Sequence, residues 1–140
     1  MSHGAPSLIK NGSPCIHMSW VVPEEKEAEL DAFWKSHEAW MRKTHTIGCV
    51  FDDETKPRLL HYYIAKGKQM TDPMDPTKGT TGNVVYQMSE TYVADEDIQR
   101  HMKVASEWEP FKSGTMAKYI QEYGNHTTLG TDKIFCGMAD

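Results

Sequence analysis

Leu30, Phe33, Trp34, His37, Trp40, Met41 and Thr44 recur at alternating spacings of three and four residues. That spacing puts them on one face of a helix. A stripe this wide and aromatic needs a broad apolar surface to lie on, and a β-sheet face supplies one. The spacing predicts a helix over 24–45, about 30 Å long at ~1.5 Å per residue. Pro23 opens it, where a missing N–H costs nothing, and Glu24 and Glu25 suit its positive end. Arg42, Lys43 and His45 suit its C-terminal end, and Gly48 closes it. Asp31 with Lys35, and Glu38 with Arg42, are i,i+4 pairs on the wet side.

The sheet is written around this helix. In residues 15–22, CIHMSWVV, the apolar Ile16, Met18 and Trp20 alternate with Cys15, His17 and Ser19, a strand pattern. Residues 49–52 can begin another strand, and 58–66, RLLHYYIAK, read as a strand. Residues 67–83 hold Gly67, Gly79, Gly82, Pro73 and Pro76 and read as a long loop. Residues 84–92 alternate through Val84, Tyr86, Met88, Glu90 and Tyr92. A helix follows with Asp95 as N-cap and Ile98, His101, Met102, Ala105 and Trp108 on its apolar face. Pro110 breaks it, a second short helix buries Met116, Ala117, Ile120 and Tyr123, and a last strand lies in 126–136, bulged at Gly130. The order β-α-β-β-α-β is that of an α+β, ferredoxin-like domain with a four-stranded antiparallel sheet and helices on one face. The other face stays bare. A second copy packed face to face would cover it, making a homodimer.

A chain of 140 residues is one domain by length. Residues 1–14 form a flexible N-terminal arm and 15–140 the domain. Fifteen basic residues against 20 acidic ones, with no basic cluster, exclude a nucleic-acid partner. No apolar run is long enough to cross a membrane, and residues 1–15 lack a signal-peptide core. Cys15, Cys49 and Cys136 are odd in number and lack CxxC spacing, which suits reduced thiols in the cytoplasm. His37, His45, His61 and His101 show no HExxH or comparable spacing, so no metal is expected.

The stretch ETYVADEDIQRH, Glu90 to His101, resembles the antibiotic-biosynthesis-monooxygenase-like family. Glu90 fills its Glu position, Tyr92 its aromatic, Ile98 its apolar position and His101 its histidine. Gly48-Cys49 is similar to the Gly-Cys that leads that family's second strand. The resemblance implies a dimeric α+β barrel with a small-molecule cleft between sheet and helices. It also implies oxidation of a small aromatic or polyketide-like substrate without a cofactor. Haem or hydrophobic-ligand binding without turnover is a second reading, and proton-transfer chemistry of the polyketide-cyclase kind a third. Haem-degrading members carry an Asn on the first strand, and residues 15–22 contain none.

On this reading His101 is the general base, with Glu90 and His37 beside it. Trp40, Tyr63, Tyr86, Tyr92 and Trp108 hold a flat ligand, and Asn83 donates to its oxygen. The structural alternatives are a buried His101 bonded to Glu90, and His37 and Trp40 as core. His17 faces away from Ile16 and Met18, and His61 shares phase with Tyr63. Loop 67–83 is either a plain hairpin loop or a lid.

Overall fold

The computed structural model describes residues 9, 11–47 and 53–137. Strand β1 (Pro14–Pro23) leads through a single 3-10 turn at Glu24–Lys26 into helix α1 (Glu27–Thr44). A two-residue strand β2 (Thr46–Ile47) precedes the long hairpin of β3 (Arg58–Met70) and β4 (Thr80–Tyr92). Helices α2 (Asp95–Ala105), α3 (Glu109–Lys112) and α4 (Thr115–Tyr123) then lead to β5 (Gly124–Lys133). The sheet order is β2-β3-β4-β1-β5.

This is an α+β arrangement compatible with the ferredoxin-like expectation, with one correction. Among the described residues the sheet has five strands and is mixed, because β2 pairs parallel with Arg58 and Leu59 of β3. The other four strands are antiparallel neighbours. Residues 48–52, with Gly48, Cys49 and the strand expected at 49–52, lie outside the described residues, as does most of the N-terminal arm. Gly12 and Ser13 tie onto the sheet's end through two backbone bonds of 2.9 Å with Ile134.

Loop 67–83 is also shorter than expected. Gly67, Lys68 and Met70 pair with Val85, Val84 and Thr80, so the strands run on and only 71–79 connects them. Side chains brace this extension: Thr81 Oγ1 and Asn83 Nδ2 both donate to Gln69 Oε1, at 2.8 and 3.1 Å.

Alternation sorts the sheet into two faces. Ile16, Met18, Trp20 and Val22 of β1 and Val84, Tyr86, Met88, Glu90 and Tyr92 of β4 are buried. Leu30, Phe33, Trp34, His37 and Met41 of α1 cover them. Trp20 sits 4.6 Å from Trp34 and 5.7 Å from Phe33, ring to ring, which anchors the helix on the sheet. Asp31 turns from the expected partner Lys35 to Lys66 of β3, at 3.0 Å, and Tyr86, at 2.7 Å.

The start of α2 is fixed by Asp97, which is fully buried. Its carboxylate accepts from Ala94 N at 3.0 Å and from Arg58 through N, Nε and Nη2 at 2.9–3.1 Å. Ala94, one residue before the expected Asp95, is therefore the N-cap. One turn after Asp97 the same helix carries His101. Against this helix β5 bulges at Gly130, where φ is +95° and a Cβ would lie 2.7 Å from Ile98 Cγ2.

Candidate functional site

Glu90 and Tyr92 share the helix-facing side of β4, because residues two apart in a strand point the same way. The Tyr92 hydroxyl donates to Glu90 Oε1 at 2.5 Å. His101 reaches down from α2, with Nδ1 2.8 Å from Tyr92 Oη. His45, just past the end of α1, brings Nε2 to 2.9 Å from His101 Nδ1 and 3.2 Å from Tyr92 Oη. On the other side His37 Nδ1 bonds Tyr62 Oη at 2.8 Å. His37 Nε2 lies 3.8 Å from Glu90 Oε2. Glu90 and Tyr92 are fully buried, and His37, His45 and His101 are 2%, 5% and 7% exposed.

Burial decides the charges here. Removing these groups from water penalises their ionised forms. It pushes the Glu90 carboxyl up to about 8, against a lowering by the Tyr92 hydroxyl. It pulls His37 and His45 down to about 3, helped by neighbouring imidazoles, and His101 down to about 4. At neutral pH the cluster is thus uncharged: three neutral imidazoles and a carboxyl that keeps its proton. Buried polar atoms are normally bonded, yet Glu90 Oε2 has no hydrogen-bond partner.

Trp40 and Trp108 stack at 4.8 Å and an angle of 19°. Trp108 meets the edge of His37 at 5.3 Å, and Trp40 meets His101 at 5.8 Å. These aromatics wall the cluster toward the helices.

A groove of about 750 Å³ runs between α1 and β3. Trp34, Met41, Leu59, Tyr62, Ile64 and Tyr86 line it, and Glu38, Arg42 and Lys66 stand at its rim. The Trp34 indole N–H is buried and has no partner. Tyr62 is the residue common to the groove and the polar cluster.

The expected site is therefore partly assembled. Glu90, Tyr92, His101 and His37 come together, with Trp40 and Trp108 packed beside them. Tyr86 lines the groove, but its hydroxyl is engaged by Asp31 and the Glu27 carbonyl. Tyr63 is among the residues lining the groove, but its ring alternates to the opposite sheet face, where it meets His61 at 4.8 Å and is 47% exposed. His17 lies on that face too, bonded through Nδ1 to Asp132 at 2.6 Å. Asn83 sits seven residues along β4 from Glu90, some 23 Å at ~3.3 Å per residue, and its amide serves the hairpin. The groove lies on the β3 side of the cluster, and Tyr62 connects the two.

Sequence reasoning missed His45 and Tyr62. His45 lies one residue past the end of α1 and meets a residue 56 positions away. Tyr62 and Tyr63 are adjacent, so one must face each way, and periodicity alone does not say which. Among the described residues no group of three or more His, Cys, Asp or Glu side chains could hold a metal ion. No helix among them is long and apolar enough to cross a membrane.

No family model matches this chain, and neither a curated protein nor a solved structure matches it.

Proposed function

We propose that the protein is a small-molecule enzyme of the proton-transfer kind, acting on a flat, conjugated carbonyl compound held in the α1–β3 groove. One observation carries this reading. A buried carboxyl with an unpartnered oxygen faces His37, and His37 is bonded to the tyrosine that lines the groove.

Each group has a simple task. Tyr62 Oη donates a proton to the ligand's oxygen as negative charge develops there, while the Glu38 carboxylate at the groove rim takes the α-hydrogen. Its hydroxyl proton is replaced from His37 Nδ1, and the proton that Glu90 holds reaches His37 Nε2, 3.8 Å away, through one bridging water. The hydroxyl of Tyr62 is itself held well above its ordinary pKa by burial and by Glu90, so it acts as a donor and not as an anion. Trp34 offers an unpartnered N–H, and Met41, Leu59 and Trp34 supply apolar walls. A volume near 750 Å³ suits a small polycyclic molecule.

Oxygenation is the second reading, favoured because Glu90, Tyr92 and His101 of the resembling segment meet in one network. It shares the proton step and differs in what the resulting enolate meets.

The test uses β-tetralone as a probe. Exchange of its acidic α-hydrogens into heavy water is followed by NMR, with oxygen uptake recorded in parallel. The wild-type protein should accelerate exchange, and Tyr62→Phe should lower the acceleration by about 10²–10⁴, the range for one acid–base group. Tyr62→Phe that folds and exchanges like wild type would refute the proposal. Oxygen uptake that is dependent on Tyr62 would select the second reading.

A further inference from the structure

Once Glu90 has given up its proton, a carboxylate remains in a fully buried position. While a ligand occupies the groove, Tyr62 is covered, so the proton must be replaced from elsewhere. The side chains on the α2 side supply a route, and one threonine sets its direction.

The Thr44 hydroxyl has a single proton, and it donates that proton to the Trp40 carbonyl at 2.8 Å. The same oxygen lies 2.8 Å from His45 Nδ1. It can therefore only accept there, and His45 must carry its proton on Nδ1. His45 Nε2 is then a lone pair. It lies 2.9 Å from His101 Nδ1, which must in turn carry its own proton. That N–H is shared with Tyr92 Oη at 2.8 Å, and the Tyr92 hydroxyl proton goes to Glu90 Oε1. His101 Nε2 is left as the basic nitrogen of the set. The tautomers of two histidines thus follow from one hydroxyl at the end of α1.

We infer that Thr44, His45, His101 and Tyr92 form a tautomer-locked proton wire that reloads Glu90 from the α2 side, and that Thr44 is its positioning residue. This rests on the acid role given to Glu90 above. A proton added at His101 Nε2 releases the Nδ1 proton to Tyr92 Oη. The Tyr92 hydroxyl proton passes at the same time to Glu90 Oε1. Each residue between the ends loses one proton as it gains one, and no electron is transferred. Resetting takes two rotations: the Glu90 carboxyl turns to carry the proton from Oε1 to Oε2, and the imidazole swings out to exchange its Nε2 proton for one on Nδ1. His45 accepts from His101 Nδ1 before the transfer and so sets the ring in register. Tyr62 and His37 form the delivery arm, and His101 and Tyr92 the loading arm, meeting at the two oxygens of one carboxyl.

Two measurements on the full-length protein test the wire. The first is nitrogen NMR of histidine-labelled protein at neutral pH. His45 should show a protonated Nδ1 with bare Nε2, and His101 likewise. Thr44→Val keeps the shape and removes the hydroxyl, so His45 should shift toward the Nε2–H form and His101 should follow. Rings unchanged in Thr44→Val, or a wild-type His45 protonated on Nε2, would overturn the assignment. The second is the infrared C=O band of the protonated Glu90 carboxyl, identified by its loss in Glu90→Gln, followed after transfer to heavy water. Tyr92→Phe should slow its exchange by at least about an order of magnitude, toward the rate of transient core opening. Tyr62→Phe should leave the exchange unchanged. Slowing in Tyr62→Phe but not in Tyr92→Phe would remove the wire while leaving the acid role of Glu90 intact. A wild-type protein with no such band would remove that acid role as well.

Discussion

His37 Nε2 lies 3.8 Å from Glu90 Oε2, and neither residue is more than 2% exposed. This pairing of a depressed imidazole with an elevated carboxyl makes stability depend on pH in two opposite ways. Glu90 keeps its proton up to about 8 in the folded chain but loses it near 4.5 when unfolded. Folding therefore binds a proton between those values, and stability falls as pH rises through that window. His37, His45 and His101 stay neutral down to about 3–4 when folded but protonate near 6.5 when unfolded. Their contribution is present above 6.5 and is lost as pH falls. Three histidines outweigh one carboxyl below 6.5, so stability should rise to about pH 6.5 and decline toward pH 8. Urea midpoints across pH check this, and Glu90→Gln should abolish the decline above 6.5. A wild-type midpoint still rising from 6.5 to 8 would contradict the protonated carboxyl.

Phe33 stands among Trp20, Trp34, Trp108 and Tyr119, at 5.1–5.7 Å ring to ring. Its removal opens a cavity that these rigid rings cannot fill. Phe33→Ala should cost about 3–5 kcal/mol by chemical denaturation, and Trp34→Ala a similar amount. A loss under about 1 kcal/mol would mean the core repacks around α1.

Asp97 is buried with Arg58, whose side chain is 12% exposed. Asp97→Ala leaves that guanidinium without its main carboxylate and frees the first turn of α2. The expected loss is about 3–5 kcal/mol, as for breaking other buried pairs. Because α2 carries His101, nitrogen NMR of the same variant should show His101 released from its bond to Tyr92. An unchanged His101 signal would show that the clamp does not position it.

The bare sheet face carries His17, His61 and Tyr63, all at least partly exposed. A second copy is the expected cover. Sedimentation at micromolar concentration should give twice the chain mass of 15.9 kDa. A monomer would leave the face open and remove the barrel architecture.

Much of this fold is written in short-range pattern. The stripe from Leu30 to Met41 and the alternation from Val84 to Tyr92 name both halves of the core, since each repeats with its element's own period. The contact of Glu90, Tyr92 and His101 was legible because they lie within one strand–turn–helix segment. What the sequence hid depends on partners far along the chain. The Gly67–Met70 stretch looks like loop until Thr80–Val85 pairs with it. His45 is in phase with Met41, but its role arises only where α1 ends beside α2. The choice between Tyr62 and Tyr63 is a choice of sheet face, which requires knowing where α1 docks.

The most direct measurement is an infrared titration of the Glu90 carboxyl, taken as the difference between wild type and Glu90→Gln. A protonated-carboxyl band should be present at pH 7 and disappear as pH rises through about 8. A carboxylate signal already complete at pH 7, with no carboxylic-acid band, would show that Glu90 holds no proton there and contradict its role as the buried acid.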